Sequence, residues 1–280
     1  MKVSVLTPIY KTDERHLRAA IESVLAQTFA DFEFILLDDC PEDSREAVVR
    51  SYGDKRIVYM KNDRNLGISA SRNRLLELAK GEYLAVFDHD DVCRPDRFAK
   101  EVAYLDAHPE CGVVGGWLRQ TSNGSLTRYP ESDHDIRVDL MREASIWHPA
   151  AMIRKSVLEA NGIRYRGEFS PTEDYMLWME LARVTRFHNL QEPVLDYRRH
   201  STNTTFVRAR ELSAAEARCR AWAKANLPEL YAEYEFRRRT TWHVRLFGIP
   251  VLKAETAGRE TRVLLFDRIP LLSIRRHDRI

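Results

Sequence analysis

A short apolar run that ends in a cluster of carboxylates constrains the fold more than any other feature of this 280-residue sequence. The run covers residues 83–87 and reads Tyr-Leu-Ala-Val-Phe, and three aspartates fall within the next four positions. A continuous apolar run of this length is typical of a strand buried between helices. Open α/β sheets bind ligands at the carboxyl ends of their strands, so the aspartates predict a ligand site there.

The aspartate cluster indicates a bound cation, because like charges that are partly buried need a compensating charge. A divalent metal carrying a diphosphate would supply it, and residues 88–90 would then form an Asp-x-Asp motif. The alternative is a helix N-terminus, at which Asp91 or Asp96 caps the segment around Pro95 and the helix dipole favours the acids.

Strands and helices alternate along the first 120 residues. The expected strands are 3–8, 32–37, 57–60, 83–87 and 113–118. The expected helices are 17–25, a short helix capped by Ser44, 68–79 closed by Gly81 as a left-handed C′ residue, and 95–107. This alternation predicts an α/β fold with a mainly parallel central sheet flanked by helices.

The composition describes a soluble globular protein, with 44% hydrophobic and 31% charged residues. The 44 Lys and Arg residues nearly balance the 42 Asp and Glu residues, so the net charge of +2 indicates no nucleic-acid partner. Four scattered cysteines lack metal-ligand or disulfide spacing and are expected to be reduced thiols. Neither a signal peptide nor a membrane-spanning apolar run is found. We therefore expect a cytoplasmic protein, soluble or peripheral on the inner face of the cell membrane.

The C-terminal region is strongly basic, which points to an anionic surface. Its arginines are Arg237, Arg238, Arg239, Arg245, Arg259, Arg262, Arg268, Arg275, Arg276 and Arg279. Two apolar segments, 246–252 and 265–272, echo each other and predict a hairpin. Apolar residues beside arginines suit an anchor on anionic lipid. The alternative is that these segments pack on the rest of the chain or on the second subunit of a homodimer.

The turn after the first strand excludes two common phosphate sites. Residues 8–11 contain no glycine, whereas a dinucleotide-binding fold needs a Gly-rich turn at this point. The Gly-Lys-Ser/Thr of a P-loop is also absent. Acidic residues at two strand ends, 38–39 and 88–90, instead fit a nucleotide held by side chains and a hard cation.

Eight motifs in order give the sequence its resemblance to the family-2 glycosyltransferases with a GT-A fold, of the type that builds bacterial surface polysaccharide or lipopolysaccharide. They are residues 5–10, 27–29, 38–39, 65–73, 81–83, 88–91, His148-Pro149 with Arg154, and 173–178. The resemblance implies a GT-A catalytic domain over 1–205, with a nucleotide-sugar half (1–120) and an acceptor half (121–205). Residues 206–280 would form a C-terminal extension with helices at 213–225 and 228–238, followed by the hairpin.

The resemblance implies a donor site in the first half of the chain. The implied donor-binding residues are Thr7, Pro8, Tyr10, Asp38, Asp39, Arg72, Asp88 and His89. The first three would line the nucleoside pocket. Asp39, together with Asp38, would accept a hydrogen bond from the base, which favours a UDP-sugar. Arg72 would lie near the donor phosphates, and Asp88 close to the ribose or the sugar.

The resemblance also implies a metal site and a general base. Asp90 would coordinate Mn²⁺ or Mg²⁺, and His200 would reach back to the metal or the diphosphate, the alternative being a surface histidine. Asp174, beside Glu173, would act as the base. His148 either faces the acceptor or is a structural histidine.

These residue types suit sugar transfer with inversion, which needs a base and a cation but no covalent nucleophile. The Gln-x-x-Arg-Trp element of polymerising members is absent after Trp178, so we expect transfer of a single hexose or N-acetylhexosamine to a glycan or lipid-linked acceptor. One rival is a nucleotidyltransferase, which normally carries a Gly-rich, Arg-containing loop after the first strand. The other is a non-catalytic glycan- or lipid-binding module, against which the intact acidic residues argue.

Overall fold

The computed structural model describes residues 1–200, 208–238, 241–246, 249–257, 260–265 and 269–275. The chain divides into two compact units, Met1–Trp222 and Ala223–Ile280. The predicted boundary between residues 205 and 206 lies outside the described residues, as do five arginines of the basic series. These are Arg239, Arg259, Arg268, Arg276 and Arg279.

The first unit is built on one mixed sheet. Its strands are β1 (Val3–Ile9), β2 (Phe32–Asp38), β3 (Ile57–Lys61), β4 (Tyr83–Val86), β5 (Val92–Cys93), β6 (Cys111–Gln120), β7 (Leu126–Thr127), β8 (Met152–Arg154) and β9 (Arg186–Tyr197). The strand order is β3-β2-β1-β4-β8-β6-β9-β5, and β7 pairs with β6. The first four strands of this order are parallel, whereas β8 runs antiparallel to both β4 and β6.

Helices flank this sheet, which confirms the predicted α/β class. In chain order they are α1 (Glu14–Leu25), α2 (Glu46–Arg50), α3 (Ile68–Leu78), α4 (Arg97–Ala107), α5 (Asp133–Asp139), α6 (Lys155–Asn161) and α7 (Glu173–Leu181). A further helix, α8 (Ala209–Asn226), contains the division between the two units. The carboxylate of Asp13 caps α1 by accepting hydrogen bonds from the backbone of Arg15 and His16. Every residue of β1, β2 and β4 is buried, as expected for strands covered on both faces.

Gly81 has a different role from the predicted helix cap. α3 ends at Leu78 with Ala79 as its C-cap, and Gly81 is not among the residues with a left-handed backbone. A Cβ atom on Gly81 would instead lie 2.4 Å from the backbone nitrogen of Ser4. The Ser4 hydroxyl also accepts a hydrogen bond from the Gly81 N–H at 2.8 Å. Glycine is therefore required because the chain crosses β1 at very close range before entering β4.

The second unit contains a helix and an antiparallel sheet. The helix is α9 (Pro228–Arg238), and the strands are β10 (Thr241–Leu246), β11 (Ile249–Ala257), β12 (Glu260–Leu265) and β13 (Ile269–Arg275). Neighbouring strands pair in chain order, so the two predicted C-terminal helices are followed by a four-stranded antiparallel sheet in place of the single predicted hairpin. Within the described part of the chain, no helix combines the length and the apolar character that a membrane span requires.

Candidate active site

The carboxyl ends of β1, β2 and β4 meet at one edge of the sheet because these strands are parallel neighbours. The Thr7 hydroxyl donates a 2.9 Å hydrogen bond to the carbonyl of Phe87, which fixes the end of β4 against β1. Thr7 is fully buried, so its hydroxyl is engaged inside the protein rather than facing the predicted nucleoside pocket. Tyr10 is 43% exposed, and the ammonium of Lys11 lies 5.2 Å from its ring centroid.

The paired aspartates after β2 hold the loops that surround the edge. The carboxylate of Asp38 is fully buried and accepts hydrogen bonds from the backbone of Cys40 and Arg45 and from the hydroxyl of Tyr59. These contacts favour a structural role for Asp38 over the predicted contact with a base. Asp39 accepts hydrogen bonds from the Asn62 amide and from the backbone of residues 66 and 67, ahead of α3.

Arg72 lies at the centre of the site and joins two of its carboxylates. It is buried on α3, where Nη1 donates to Oε1 of Glu173 at 2.8 Å and Nη2 lies 3.5 Å from Oδ1 of Asp88. Burial alone would lower the pKa of Arg72, but the charges of Glu173 and Asp88 raise it. The guanidinium is therefore firmly charged and is shared between two acids. Its predicted interaction with the donor phosphates would be weakened, because these two carboxylates already offset its charge.

Residues 88–91, which follow β4 and are called the acidic loop below, lie close to His200, which is 110 residues after Asp90 in the chain. Nε2 of His200 lies 2.8 Å from Oδ2 of Asp90, so the two predicted metal-binding residues are adjacent. The ring of His16, from α1, lies 5.4 Å from the His200 ring, a neighbour that sequence reasoning missed. Burial lowers the pKa of His16, and the charge of Arg198 lowers it further.

The carboxylates of this loop fit a divalent cation. Burial, followed by the charge of Asp90, raises the pKa of Asp91 well above its usual value, and burial also raises that of Asp88. Asp91 accepts a hydrogen bond from the Arg198 backbone through Oδ1, whereas its buried Oδ2 has no partner. The described residues contain no preformed cage of three or more His, Cys, Asp or Glu side chains. The residues present thus suit a hard cation whose remaining ligands are phosphate oxygens and water.

His89, the middle residue of the motif, is half-buried, and its Nδ1 atom is buried without a hydrogen-bond partner. Nothing in its surroundings identifies a ligand for that atom, and its predicted contact with the donor stays a prediction.

Glu173 and Asp174 begin α7 and have different environments. Glu173 is buried against Arg72, whereas Asp174 is half-buried and accepts a hydrogen bond from the Tyr175 backbone at 2.7 Å. Burial, followed by the charge of Glu173, raises the pKa of Asp174 to about 6. A half-buried carboxyl with such a pKa can accept a proton near neutral pH, so Asp174 is the better candidate base of the two.

Tyr165 and Asn73 complete the inner side of the site, and sequence reasoning assigned a role to neither. The Asn73 side chain donates to the carbonyl of Tyr165 at 2.8 Å and accepts from its N–H at 2.9 Å. The Tyr165 hydroxyl lies 2.8 Å from Nε2 of His148, which is 4% exposed. Burial and the nearby charges of Arg72 and Arg97 hold the pKa of His148 well below its usual value, so its ring is neutral.

Arg97 holds the two halves of the sheet together beneath the acidic loop. It is fully buried, pairs with Glu101 one turn along α4, and donates to the carbonyls of Val86, Pro149 and Ala151. These bonds join the end of β4 to the turn that precedes β8. An Arg and a Glu four residues apart are more often a surface pair on a helix, so the sequence carried no signal for this role.

Comparison with known proteins places the chain in a family. It is 32% identical over 205 residues to an uncharacterised glycosyltransferase of Methanocaldococcus jannaschii, an alignment that covers 70% of each chain. It is 28% identical over 229 residues to an uncharacterised glycosyltransferase of Rickettsia typhi, covering 77% of this chain and 69% of the relative.

Two solved structures share the fold. The complex of S. aureus TarS 1-349 with UDP-GlcNAc superposes with a TM-score of 0.65 at 22% identity, over 84% of this chain and 72% of that one. The mannosyltransferase PcManGT from Pyrobaculum calidifontis, in complex with GDP-Man and Mn²⁺, gives 0.63 at 18%, over 83% and 69%. These similarities confirm the GT-A architecture. The sequence model of Glycosyl transferase family 2 matches residues 4–162, and the chain is a member of that family.

Proposed function

We propose that the chain is an inverting, metal-dependent glycosyltransferase that moves one sugar from a UDP-sugar to a glycan or lipid-linked acceptor in surface polysaccharide synthesis. The observation that carries the proposal is the double ion pair of Arg72. Its guanidinium bonds Glu173 on one side and lies beside Asp88 on the other, so the start of α7 and the acidic loop are held at its two ends. This geometry supports an arrangement in which a base at the start of α7 and the donor-binding Asp88 face one reaction centre.

The chain's own residues then divide the work of a single displacement. Asp174 takes the proton from an acceptor hydroxyl, and that oxygen forms a bond to the anomeric carbon as the bond from that carbon to UDP breaks. Arg72 holds Glu173 in place through their ion pair, which leaves Asp174 as the residue that takes up the proton. Asp90, with His200 beside it, would hold the metal. When bound, Mn²⁺ or Mg²⁺ supplies charge stabilisation to the departing diphosphate.

The donor class is proposed from the base-binding region and from the relatives. Asp39, the residue predicted to contact the base, accepts hydrogen bonds from the backbone of the loop before α3, which fixes the position of its carboxylate. TarS is solved with UDP-GlcNAc and PcManGT with GDP-Man. We assign UDP-linked hexose or N-acetylhexosamine to this chain and treat GDP-mannose as the competing donor.

A donor screen tests the proposal. Purified protein is incubated with UDP-glucose, UDP-galactose, UDP-GlcNAc or GDP-mannose, each with Mn²⁺ or Mg²⁺, and nucleoside diphosphate release is measured. We expect release from one UDP-sugar, suppression by EDTA, and a loss of about 10²–10⁴-fold in Asp174→Asn.

The matched control is Asp31→Asn, which removes a carboxylate that is 63% exposed and pairs with the N-terminus. Its turnover should equal that of the wild type. Formation of UTP and sugar 1-phosphate when pyrophosphate is added to a UDP-sugar would identify a nucleotidyltransferase. No reaction with any donor would favour the binding-module rival.

A further inference from the structure

A small pocket opens beneath the candidate active site, between the ends of β1 and β4 and the inner face of α3. The lining residues that matter here are Pro8, Phe87, Arg72, Asp88, His148 and Tyr165. The pocket has room for about one water-sized group. It therefore suits a single polar group of a larger molecule.

Two buried nitrogen atoms of the lining residues have no hydrogen-bond partner. Nε of Arg72 and Nδ1 of His148 form no hydrogen bond, although these residues are only 9% and 4% exposed. Oε2 of Glu173 is also unpaired, and Glu173 is bonded directly to Arg72. Nearly all buried polar groups in folded proteins are paired, so this concentration of unpaired atoms points to a missing polar group.

The pocket is preformed, because its walls are fixed by bonds that no ligand has to supply. Asn73 clamps the backbone of Tyr165 through two hydrogen bonds. The hydroxyl of Tyr165 in turn holds Nε2 of His148, and the Arg72 guanidinium carbon lies 5.6 Å from the Tyr165 ring centroid. A ligand group entering the pocket would therefore pay little ordering entropy.

The charges and hydrogen-bonding atoms of the lining residues indicate which kind of polar group the pocket can bind. Arg72 is offset by Asp88 and Glu173, and His148 is neutral, so a phosphate would meet excess negative charge. The N–H at Nε of Arg72 can only donate and needs an acceptor, which an ammonium group lacks. A hydroxyl group is uncharged and can both accept and donate, so it meets both conditions.

We propose that this pocket is a subsite for one hydroxyl group of the transferred sugar, bound through the unpaired atoms of Arg72 and His148. The inference rests on the proposed function. The hydroxyl belongs to the donor rather than the acceptor, because Pro8 and Asp88 stand at the strand ends that form the donor side. His148 is then a specificity-determining residue for the sugar and not an acceptor-binding one.

The test uses deoxy sugars and a matched pair of His148 variants. UDP release is measured without acceptor for the best UDP-hexose of the donor screen and for its 3-, 4- and 6-deoxy analogues. In the wild type, one analogue should lose roughly 10- to 100-fold in kcat/KM, because it leaves buried polar atoms unpaired. His148→Gln keeps a polar atom at the position of Nε2 but none at Nδ1, and should reduce that selective loss to about threefold or less. His148→Asn keeps a polar atom at the position of Nδ1 and should retain the selective loss in kcat/KM.

Each alternative gives a different outcome. An equal response of all three analogues in the wild type, or a selective loss that persists unchanged in His148→Gln, would mean that the pocket holds only water, and the inference would be overturned. If no UDP-sugar releases UDP at all, the proposed function itself fails. Thermal unfolding of both variants, compared with Tyr52→Phe as a hydroxyl deletion elsewhere, confirms that they fold.

Discussion

Replacing the candidate base should make the protein more stable while making it inactive. Asp174→Asn keeps the size of the side chain but removes a charge that is partly buried beside Glu173. Burial and that neighbouring charge raise the pKa of Asp174 from 3.8 to about 6. The folded protein therefore binds a proton at this carboxyl more tightly than the unfolded chain, and ionising Asp174 works against folding.

The size of the gain follows from that difference in pKa. A shift from 3.8 to about 6 corresponds to about 3 kcal/mol, and solvent screening at the half-buried carboxyl reduces the expected gain to about 1–2 kcal/mol. Because the folded-state pKa is the higher one, the penalty is absent below about pH 4, develops between about pH 4 and 6, and is complete above that. Asp174→Asn should therefore stabilise at about pH 8 and have little effect at about pH 4.

Urea unfolding of the wild type and the variant at both pH values measures the effect. The neighbouring substitution Glu173→Gln is the matched control, since it removes a carboxylate that is paired with Arg72. It should destabilise by on the order of 3 kcal/mol, because a buried guanidinium loses its closest partner. A stabilisation by Asp174→Asn that is the same at both pH values, or its absence at about pH 8, would refute the reasoning. In the wild type, kcat/KM should also fall as the pH drops below about 6, since the base must be ionised.

Three further predictions concern the metal, the chain crossing and the C-terminal region. Asp90→Ala should lower metal-dependent UDP release by at least about 10²-fold with the fold intact by circular dichroism, and full activity in EDTA would contradict it. Gly81→Ala should lower the free energy of unfolding in urea by about 1–3 kcal/mol, because the new Cβ atom would lie 2.4 Å from a backbone nitrogen. The control Gly167→Ala should leave stability nearly unchanged, because its Cβ atom would have its nearest neighbour at 3.9 Å. Deleting residues after about Arg239 should reduce sedimentation with anionic liposomes and activity on a lipid-linked acceptor but spare donor hydrolysis. If the truncated protein instead loses a dimer or unfolds without a change in liposome binding, the region is a packing surface.

The alternation of strands and helices was readable from the sequence because both faces of β1, β2 and β4 are covered, which makes those strands continuous apolar runs. The helix from Pro228 to Arg238 was also predicted at both ends. β8 was not predicted, because three residues carry too little pattern. Gly81 was assigned to a helix cap because local sequence cannot show that a Cβ atom at this position would lie 2.4 Å from the backbone nitrogen of Ser4 in β1.

The candidate site was predictable as a set of residue types and not as a set of contacts. Asp90 and His200, both predicted to bind the metal, lie 2.8 Å apart in the structure although they are far apart in the sequence. The inward orientation of Asp38 depends on Tyr59, from the adjacent strand, and no local pattern indicates it. The same holds for Arg97, whose bonds to carbonyls near residue 150 exist only once the sheet has formed.

The pairing of β5 with β9 has a consequence for how the protein is made. Val92 and Cys93, directly after the acidic loop, pair with residues 196 and 195, and the backbone of Arg198 bonds Asp91. The ribosome therefore synthesises the acidic loop about a hundred residues before the segment of β9 that pairs with β5. Domains fold during synthesis from the N-terminus, so a nascent chain can assemble the parallel half of the sheet and still lack a finished acidic loop. A prematurely terminated chain that lacks residues 195–198 would therefore leave the acidic loop without these partners.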